Sequence, residues 1–285
     1  MTSLSVKHKQ SSVIISISSD IGYALSKHWL QIGEKITGTY RTMSNSIKEL
    51  ETEGIDLIQC DLLNSNSVDK ACTEISNKIS AWCKLIIAPG LLTPISPFLF
   101  SNFEQWSESI FVNFTNQLRI VHHLLPIRNL ENVLGPLVLF FAGGGTNNAT
   151  LNYSAYTVSK IGLIKMCELL DAEIPDTRFS IIGPGWVKTK IHENTLNNQK
   201  TAGLNFEETL RRYKNDDFTP IRKVLDCCDW VVNSPREIVS GRNFSAANDD
   251  WGSEYLNKQL ISDKNMYKLR RFGNDFKKRR DYEKI

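Results

Sequence analysis

Short apolar runs alternate with helix-length amphipathic segments along most of this 285-residue chain. Segments such as Tyr23 to Ile32 and Thr157 to Leu170 place apolar residues about every 3.6 positions, the period of an α-helix. We interpret the apolar runs between such segments as seven strands: Ser12 to Ser18, Lys35 to Arg41, Asp56 to Cys60, Lys84 to Ala88, Pro136 to Ala142, Arg178 to Ile182 and Arg242 to Ala246. The alternation predicts an α/β fold, a doubly wound parallel sheet with helices on both faces.

Two stretches interrupt this alternation. We interpret the polar stretch from Lys188 to Asp217 as a lid. The tail beyond about Asn257 is longer than the structureless segments that compact domains usually leave. We therefore predict one domain over residues 1–256, with the lid at about 188–217, and a basic C-terminal extension over residues 257–285.

Charge and cysteine usage argue against several classes of protein. Lys and Arg number 34 against 31 Asp and Glu, and a net charge of +3 gives no reason to expect a nucleic-acid binder. The basic block from Lys277 to Arg280 leaves a tail-driven partner open, although such blocks are usually solvated. Six cysteines without CxxC spacing, no signal-like segment and no apolar run of about 18 residues predict a cytoplasmic protein that does not span a membrane. His122 and His123 lie in an apolar helix-like run with no acidic partner nearby, so they are interpreted as packing or interface residues, and we predict no metal site.

The turn after the first strand is a candidate phosphate cradle, which needs free N–H groups at a helix N-terminus and a closely approaching backbone. Its candidate cofactor-binding residues are Ser16, Ser18, Ser19, Ile21 and Gly22. Because Gly22 is its only glycine, a Ser/Asp helix cap explains the segment equally well. Asp20 would repel a pyrophosphate if its side chain pointed inward.

The ends of the next two strands carry further candidates. An acidic residue at the end of the second strand would hold a free ribose hydroxyl, whereas Arg41 at this position suits a 2′-phosphate. This favours NADP, with NAD as the other option, and a solvated Arg41 is the alternative without a function. Asp61, just past the third strand, is placed to accept from an adenine amino group or to cap the next helix.

Tyr156 and Lys160 are a candidate catalytic pair. Residues four apart lie on one face of a helix, so the ammonium can lie near the phenol and lower the phenol pKa from about 10. Tyr23 and Lys27 have the same spacing, so the spacing alone does not identify a site. Tyr156 follows a strand and a glycine-rich loop, and this position favours it as the acid/base residue.

In this order the motifs resemble the short-chain dehydrogenase/reductase family, in its compact single-domain branch, from about Ser12 to Trp251. The resemblance implies a Rossmann-like sheet, with Tyr156 exchanging a proton with substrate, Lys160 tuning it and holding the nicotinamide ribose, and Asn113 organising a water relay. The matching positions are the turn Ser16 to Gly22, Asp61, Gly90, Asn113, Tyr156, Lys160, Pro184 and Gly185 followed by Val187 and Thr189, and Ser240 to Arg242.

The chain departs from the family pattern at the serine that steadies the substrate. That serine lies thirteen or fourteen residues before the tyrosine, where this chain has Gly143 and Ala142. Thr146 and Ser154 are the nearest hydroxyls, and the backbone of the triple glycine is another source of donors to an oxyanion. The family's first two turn glycines are Ser16 and Asp20, and its NNAG motif reads Ile87 to Gly90.

The leading hypothesis is an NAD(P)-dependent oxidoreductase that interconverts a carbonyl and a secondary alcohol by hydride transfer. The basic residues of 188–217, and a resemblance to reductases of bacterial surface-sugar pathways, favour a sugar or sugar-nucleotide substrate, with Gly143, Thr146 and His192 as candidate contacts. A solvated charged helix explains the same basic residues. The alternative hypothesis is a catalytically decayed member that binds a dinucleotide as a sensor or scaffold. The resemblance implies subunit contacts through the helices that carry Asn113 and Tyr156, and the apolar run Ile120 to Leu125 adds hydrophobic surface to the first of them, so we predict a homodimer or homotetramer.

Overall fold

A computed structural model describes residues 11–271. Within them lies one sheet of seven parallel strands in the order β3-β2-β1-β4-β5-β6-β7. Every predicted strand is present, so the doubly wound α/β fold is confirmed; the strands are β1 (Ser11–Ile15), β2 (Lys35–Tyr40), β3 (Asp56–Gln59), β4 (Lys84–Ile87), β5 (Leu137–Phe141), β6 (Arg178–Gly183) and β7 (Arg242–Ser245). The first strand ends at Ile15, before the predicted Ser18, because Ser16 takes a positive φ of 61° and turns the chain.

Helices cover both faces of this sheet. They are α1 (Asp20–Gln31), α2 (Asn45–Thr52), α3 (Ser65–Lys78), α4 (Phe103–Ile110), α5 (Asn116–Leu124), α6 (Ser154–Glu173), α7 (Ile191–Asn197), α8 (Gln199–Ala202), α9 (Leu204–Asn215), α10 (Ile221–Asn233), α11 (Arg236–Val239) and α12 (Glu254–Ser262). Alternate strand residues enter two separate cores: Ile14 packs with α1 and α10, and Val13 packs with α3, α5 and α6. This burial on both faces explains why the strands read as continuous apolar runs.

The strand order reverses between β1 and β4, since the chain runs from β1 through β2 to β3 and then returns to the other side of β1. In open α/β sheets, the loops at the carboxyl ends of the two strands that flank such a switch separate and leave a crevice. The segments after β1 and β4 therefore form the two sides of a cleft.

The chain beyond β7 packs on the same core. The helix α12 spans the boundary predicted after residue 256. Its Leu256 and Leu260 are buried in the same core to which α1 and α10 contribute. The guanidinium of Arg242 donates to the carbonyl of Met266 at 2.8 Å and to that of Leu260. Residues 257–271 of the predicted extension are thus attached to the domain, because one helical turn and a buried arginine anchor them. Lys277 to Arg280 lie outside the described residues.

All six cysteines are buried free thiols. Among the described residues, no helix is long and apolar enough to cross a membrane. Within the same residues, no group of three or more His, Cys, Asp and Glu side chains is arranged to hold a metal ion.

Candidate active site

A cleft of about 1280 Å³ opens at the carboxyl ends of the strands. It runs from the ends of β2 and β3 past the turn before α1 to the loop after β5 and the helices α7 and α9. The structure brings together almost every predicted site residue along it: Ser16, Ser18, Ser19, Ile21, Arg41, Asp61, Gly90, Gly143, Thr146, Tyr156, Lys160, Pro184, Gly185, Val187, Thr189 and His192. Gly22 and Asn113 lie behind its wall.

The turn between β1 and α1 is held by hydrogen bonds as well as by its glycine. The backbone N–H of Ser16 donates to Thr39 Oγ1 at 2.9 Å, and Ser19 Oγ caps α1 by accepting from Gly22 N–H at 3.1 Å. A Cβ at Gly22 would lie 2.7 Å from the Ser16 carbonyl oxygen, so no larger residue fits there. The predicted helix cap therefore exists, and it leaves first-turn N–H groups of α1 at the cleft.

Asp20 points across the cleft to the segment after β6. Its carboxylate accepts from the backbone N–H of Lys190 at 2.8 Å, and the Lys190 ammonium lies 3.9 Å away. The Lys190 ammonium therefore offsets part of the repulsion that an inward-pointing Asp20 carboxylate would exert on a pyrophosphate.

Arg41 and Asp61 lie where the cleft meets the ends of β2 and β3. Arg41 is exposed, and no acceptor or carboxylate within residues 11–271 bonds its guanidinium. Asp61 Oδ1 accepts from Leu63 N–H at 3.0 Å, whereas α3 is capped by Asn64. The alternative in which Asp61 caps the next helix is therefore wrong, because the turn at 61–64 places the cap three residues later, at Asn64. The role of Asp61 toward adenine stays a prediction.

Tyr156 and Lys160 lie one turn apart on α6, with the Lys160 ammonium 5.9 Å from the Tyr156 ring centre. Lys160 is 2% exposed and donates to the Pro89 carbonyl at 3.1 Å. Burial lowers the Lys160 pKa to about 7 and raises the Tyr156 pKa to about 12, because both charged forms lose hydration. The expectation that Lys160 lowers the phenol pKa is therefore wrong for the free chain, since the effect of burial dominates. At neutral pH the free site thus holds a neutral phenol beside an ammonium near its titration midpoint.

Asn113 acts on the loop that Lys160 contacts. It lies in a π-helical turn at Phe111–Thr115, a deviation that often accompanies functional sites. Its amide accepts from Leu91 N–H at 2.8 Å and donates to the Leu91 carbonyl at 2.7 Å. Gln117 donates to the Pro89 carbonyl at 3.3 Å. Asn113 therefore fixes the loop after β4, while the predicted water relay remains a prediction.

The Tyr156 ring occupies the space beside Gly143, one of the two positions where the family pattern places its serine. A Cβ built on Gly143 would lie 2.5 Å from Tyr156 Cε1. Of the two substitute hydroxyls predicted, Ser154 Oγ accepts from Trp106 Nε1 at 3.0 Å, whereas Thr146 lines the cleft. Ser154 is therefore the wrong substitute, because it is already engaged away from the cleft.

Sequence reasoning missed several residues of the cleft: Thr150, Thr157, Lys268 and Arg270. It also missed Thr39, which supports the turn before α1 from behind. Thr157 Oγ1 is buried without a hydrogen-bond partner in the described chain. Lys268 and Arg270 were assigned to the extension, and no local pattern brings that segment back to α6, where Arg270 pairs with Glu168. Among these residues, Thr157 could have been predicted to line the cleft, because it directly follows Tyr156 in the sequence.

His192 is less available than predicted. Its ring stacks on Trp186 with 4.9 Å between ring centres, and its Nε2 lies 3.0 Å from the Val187 carbonyl, to which it donates. Burial lowers the His192 pKa. Neighbouring basic residues of 188–217 are also engaged, since Lys188 pairs with Asp216 and Arg211 with Glu208 and Asp217.

The sequence profile of a family described as short chain dehydrogenase matches residues 10–200. The chain belongs to the short-chain dehydrogenase family. The predicted family is thereby confirmed, and with it the class of oxidoreductases that use NAD or NADP.

Solved structures share this short-chain dehydrogenase fold. The KRED1-Pglu enzyme is 19% identical with a TM-score of 0.74, over 82% of this chain and 99% of its own. A short-chain dehydrogenase/reductase from Saccharomyces cerevisiae is 17% identical with a TM-score of 0.74, over 87% and 98%. A short chain dehydrogenase from Escherichia coli CFT073, complexed with NADPH, is 16% identical with a TM-score of 0.70, over 84% and 97%. No curated protein sequence matches the chain.

Proposed function

We propose that this chain is an NADP-dependent oxidoreductase that interconverts a carbonyl and a secondary alcohol. The observation that carries the proposal is the pair of Tyr156 and buried Lys160 in the same cleft as the capped turn of α1 and the unpaired Arg41. When bound, the nicotinamide would supply or accept the hydride. The residues of this chain would bind the dinucleotide, orient the substrate and move the proton.

The protonation states at the site suit reduction of a carbonyl. With its pKa near 12, Tyr156 carries its proton at neutral pH and can donate it to the oxygen of a reacting carbonyl. An ammonium on Lys160 would then stabilise the phenolate that forms. Because the Lys160 pKa is about 7, a neutral solution holds enough of the charged form for this role.

The chain's own residues fit an NADP-type cofactor at three points. The first turn of α1 lies at the cleft, and the N–H groups at a helix N-terminus bind anions such as a pyrophosphate. Arg41 holds an uncommitted guanidinium at the end of β2 for a 2′-phosphate. Pro184, Gly185, Val187 and Thr189 form the opposite wall. The NADPH in the Escherichia coli structure gives independent support to this choice.

Replacing Arg41 by Ala should weaken NADPH binding about 10- to 100-fold and leave NADH binding nearly unchanged, since a bidentate guanidinium contact to phosphate contributes roughly 1.5 to 3 kcal/mol. Both cofactors are titrated by fluorescence. Arg222→Ala is the control, because Arg222 is an exposed arginine that pairs with Asp226 on α10. Equal losses for the two cofactors would contradict the assignment of Arg41.

Among sugars and sugar-nucleotides, we propose the uncharged sugar as substrate. Lys188, Arg211 and Arg212 are paired with carboxylates of their own segment, so they do not form a free anion site. The end of the cleft beyond Tyr156 instead presents amide and hydroxyl groups, from Asn147, Asn148, Thr150 and Asn194. NADPH oxidation against matched keto-sugars and nucleotide-linked sugars tests both the activity and this preference.

A dinucleotide-binding protein without turnover is the second candidate. Gly143 in place of a serine, with the Tyr156 ring filling the space beside it, is the observation that favours it. NADPH binding without oxidation by any carbonyl in the panel would support this candidate over the first.

A homodimer or homotetramer remains our proposal, but the predicted reason for it changes. Ile120 and Leu124, in the apolar run from Ile120 to Leu125, are buried in the core of their own chain. The apolar surface lies instead on Phe103, Phe111 and Val158, which are 58%, 45% and 54% exposed on and beside α4 and α6. We expect light scattering at micromolar concentration to show a symmetric oligomer; a monomer would contradict the proposal.

A further inference from the structure

We propose that Asp20 is a positioning residue that fastens the segment 188–191 to the turn that precedes α1. Asp20 stands where the family pattern has a glycine, and a glycine has no side chain to form this attachment. The attachment is present in the free chain, while its effect on the cofactor rests on the proposed function.

The geometry gives Asp20 two contacts to one residue across the cleft. Its Oδ2 accepts from the backbone N–H of Lys190 at 2.8 Å, and its Oδ1 lies 3.9 Å from the Lys190 ammonium. Lys190 immediately precedes α7. Within residues 11–271, no other hydrogen bond or ion pair joins the turn 16–22 to the segment 188–217. The backbone contact is therefore the direct polar link between the two walls.

The rest of the segment 188–217 is anchored elsewhere. Thr195 Oγ1 lies 2.9 Å from the Tyr153 hydroxyl, and Asn152 donates to the Thr201 carbonyl at 2.8 Å. Ala202 and Phe206 are buried in an apolar cluster with Tyr153. These contacts hold α7 to α9 against the loop after β5. Asp20 adds a direct polar contact from the entry to α7, where Thr189 and Lys190 line the cleft, to the turn 16–22.

The two contacts have different consequences for charge. The Asp20 carboxylate lies at the N-terminus of α1, where the helix dipole favours it but where a pyrophosphate would also bind. The Lys190 side chain is 69% exposed, so its ammonium moderates that negative charge without fixing the backbone. The hydrogen bond from the Lys190 N–H fixes the position of the segment 188–191, and the Lys190 ammonium offsets the charge of Asp20.

Asp20→Ala and Asp20→Asn separate these effects, because both remove the carboxylate charge while only Asn keeps an oxygen that can accept from Lys190 N–H. We expect hydrogen exchange at residues 190–193 of the free protein to be about 5- to 10-fold faster in Asp20→Ala than in Asp20→Asn, as the loss of one hydrogen bond implies. Asp226→Asn, a change on the exposed side of α10, is the control and should leave this exchange unchanged.

The same pair of variants tests the link to the cofactor. We expect NADPH to bind about 5- to 10-fold more weakly to Asp20→Ala than to Asp20→Asn, with equal urea midpoints for the two variants. Equal exchange in Asp20→Ala and Asp20→Asn would overturn the positioning role. If the exchange rates differ as expected but the unmodified chain binds no NADPH, the positioning role stands and the proposed function fails.

Discussion

Replacing Tyr156 by Phe is expected to reduce NADPH-dependent turnover by about 10²- to 10⁴-fold, the usual contribution of a positioned acid/base group. The change removes only the hydroxyl, which makes no hydrogen bond within residues 11–271, so it leaves no buried partner unsatisfied. The free energy of unfolding should therefore change by less than about 1 kcal/mol. Cofactor affinity should also be kept, because the variant retains Lys160 and the turn before α1.

Tyr153→Phe is the matched control. Tyr153 also lines the cleft, three positions before Tyr156, but its hydroxyl is paired with Thr195 Oγ1 at 2.9 Å. Its loss should cost about 1 kcal/mol of stability and change turnover by less than about tenfold. Single-turnover measurements with saturating NADPH separate the chemical step from the release of product and oxidised cofactor. Equal turnover losses in the two variants would remove Tyr156 from its assigned role.

Replacing Lys160 by Met is expected to stabilise the folded chain on the order of 3 kcal/mol at pH 6 while impairing catalysis. The Lys160 pKa falls to about 7 in the folded chain, against about 10.4 for an unfolded lysine. Below pH 7 both states carry the proton, so the cost of burying the ammonium is fully present. Between the two pKa values only the unfolded state keeps it, and stability rises with pH across this window.

Urea unfolding of Lys160→Met and the unmodified chain, compared from pH 6 to 10, measures this difference. The advantage of the variant should shrink as the pH rises through this range. Lys165→Met is the control, because Lys165 lies on the same helix but is 48% exposed and pairs with Glu168. A constant difference between Lys160→Met and the unmodified chain at every pH would show that Lys160 does not titrate with a depressed pKa.

Local periodicity accounts for the parts of the structure that the sequence predicted. The seven strands follow from apolar runs buried on both faces. The shared face of Tyr156 and Lys160 follows from the helical period alone, which needs no knowledge of the rest of the chain. Their position at the carboxyl end of the sheet follows from the order of strands and helices.

Partners that are distant in the sequence account for what could not be predicted. Asn113 is bonded to Leu91, and Ser16 to Thr39, through contacts that exist only once helices and strands pack. The ion pair between Lys188 and Asp216 likewise depends on how α9 returns toward the segment after β6. The sequence predicts residues 257–271 as an extension because Arg242 binds them through backbone carbonyls, which every residue has and which no sequence pattern distinguishes.

The Ser16 turn has a consequence for how relatives of this protein are recognised. Its left-handed backbone is unfavourable for a serine, and the hydrogen bond from its N–H to Thr39 on the adjacent strand helps to hold it. A search pattern that demands glycine at the first position of the turn would overlook chains built this way. A hydroxyl-bearing residue on the neighbouring strand, 23 positions later, is the companion feature to seek.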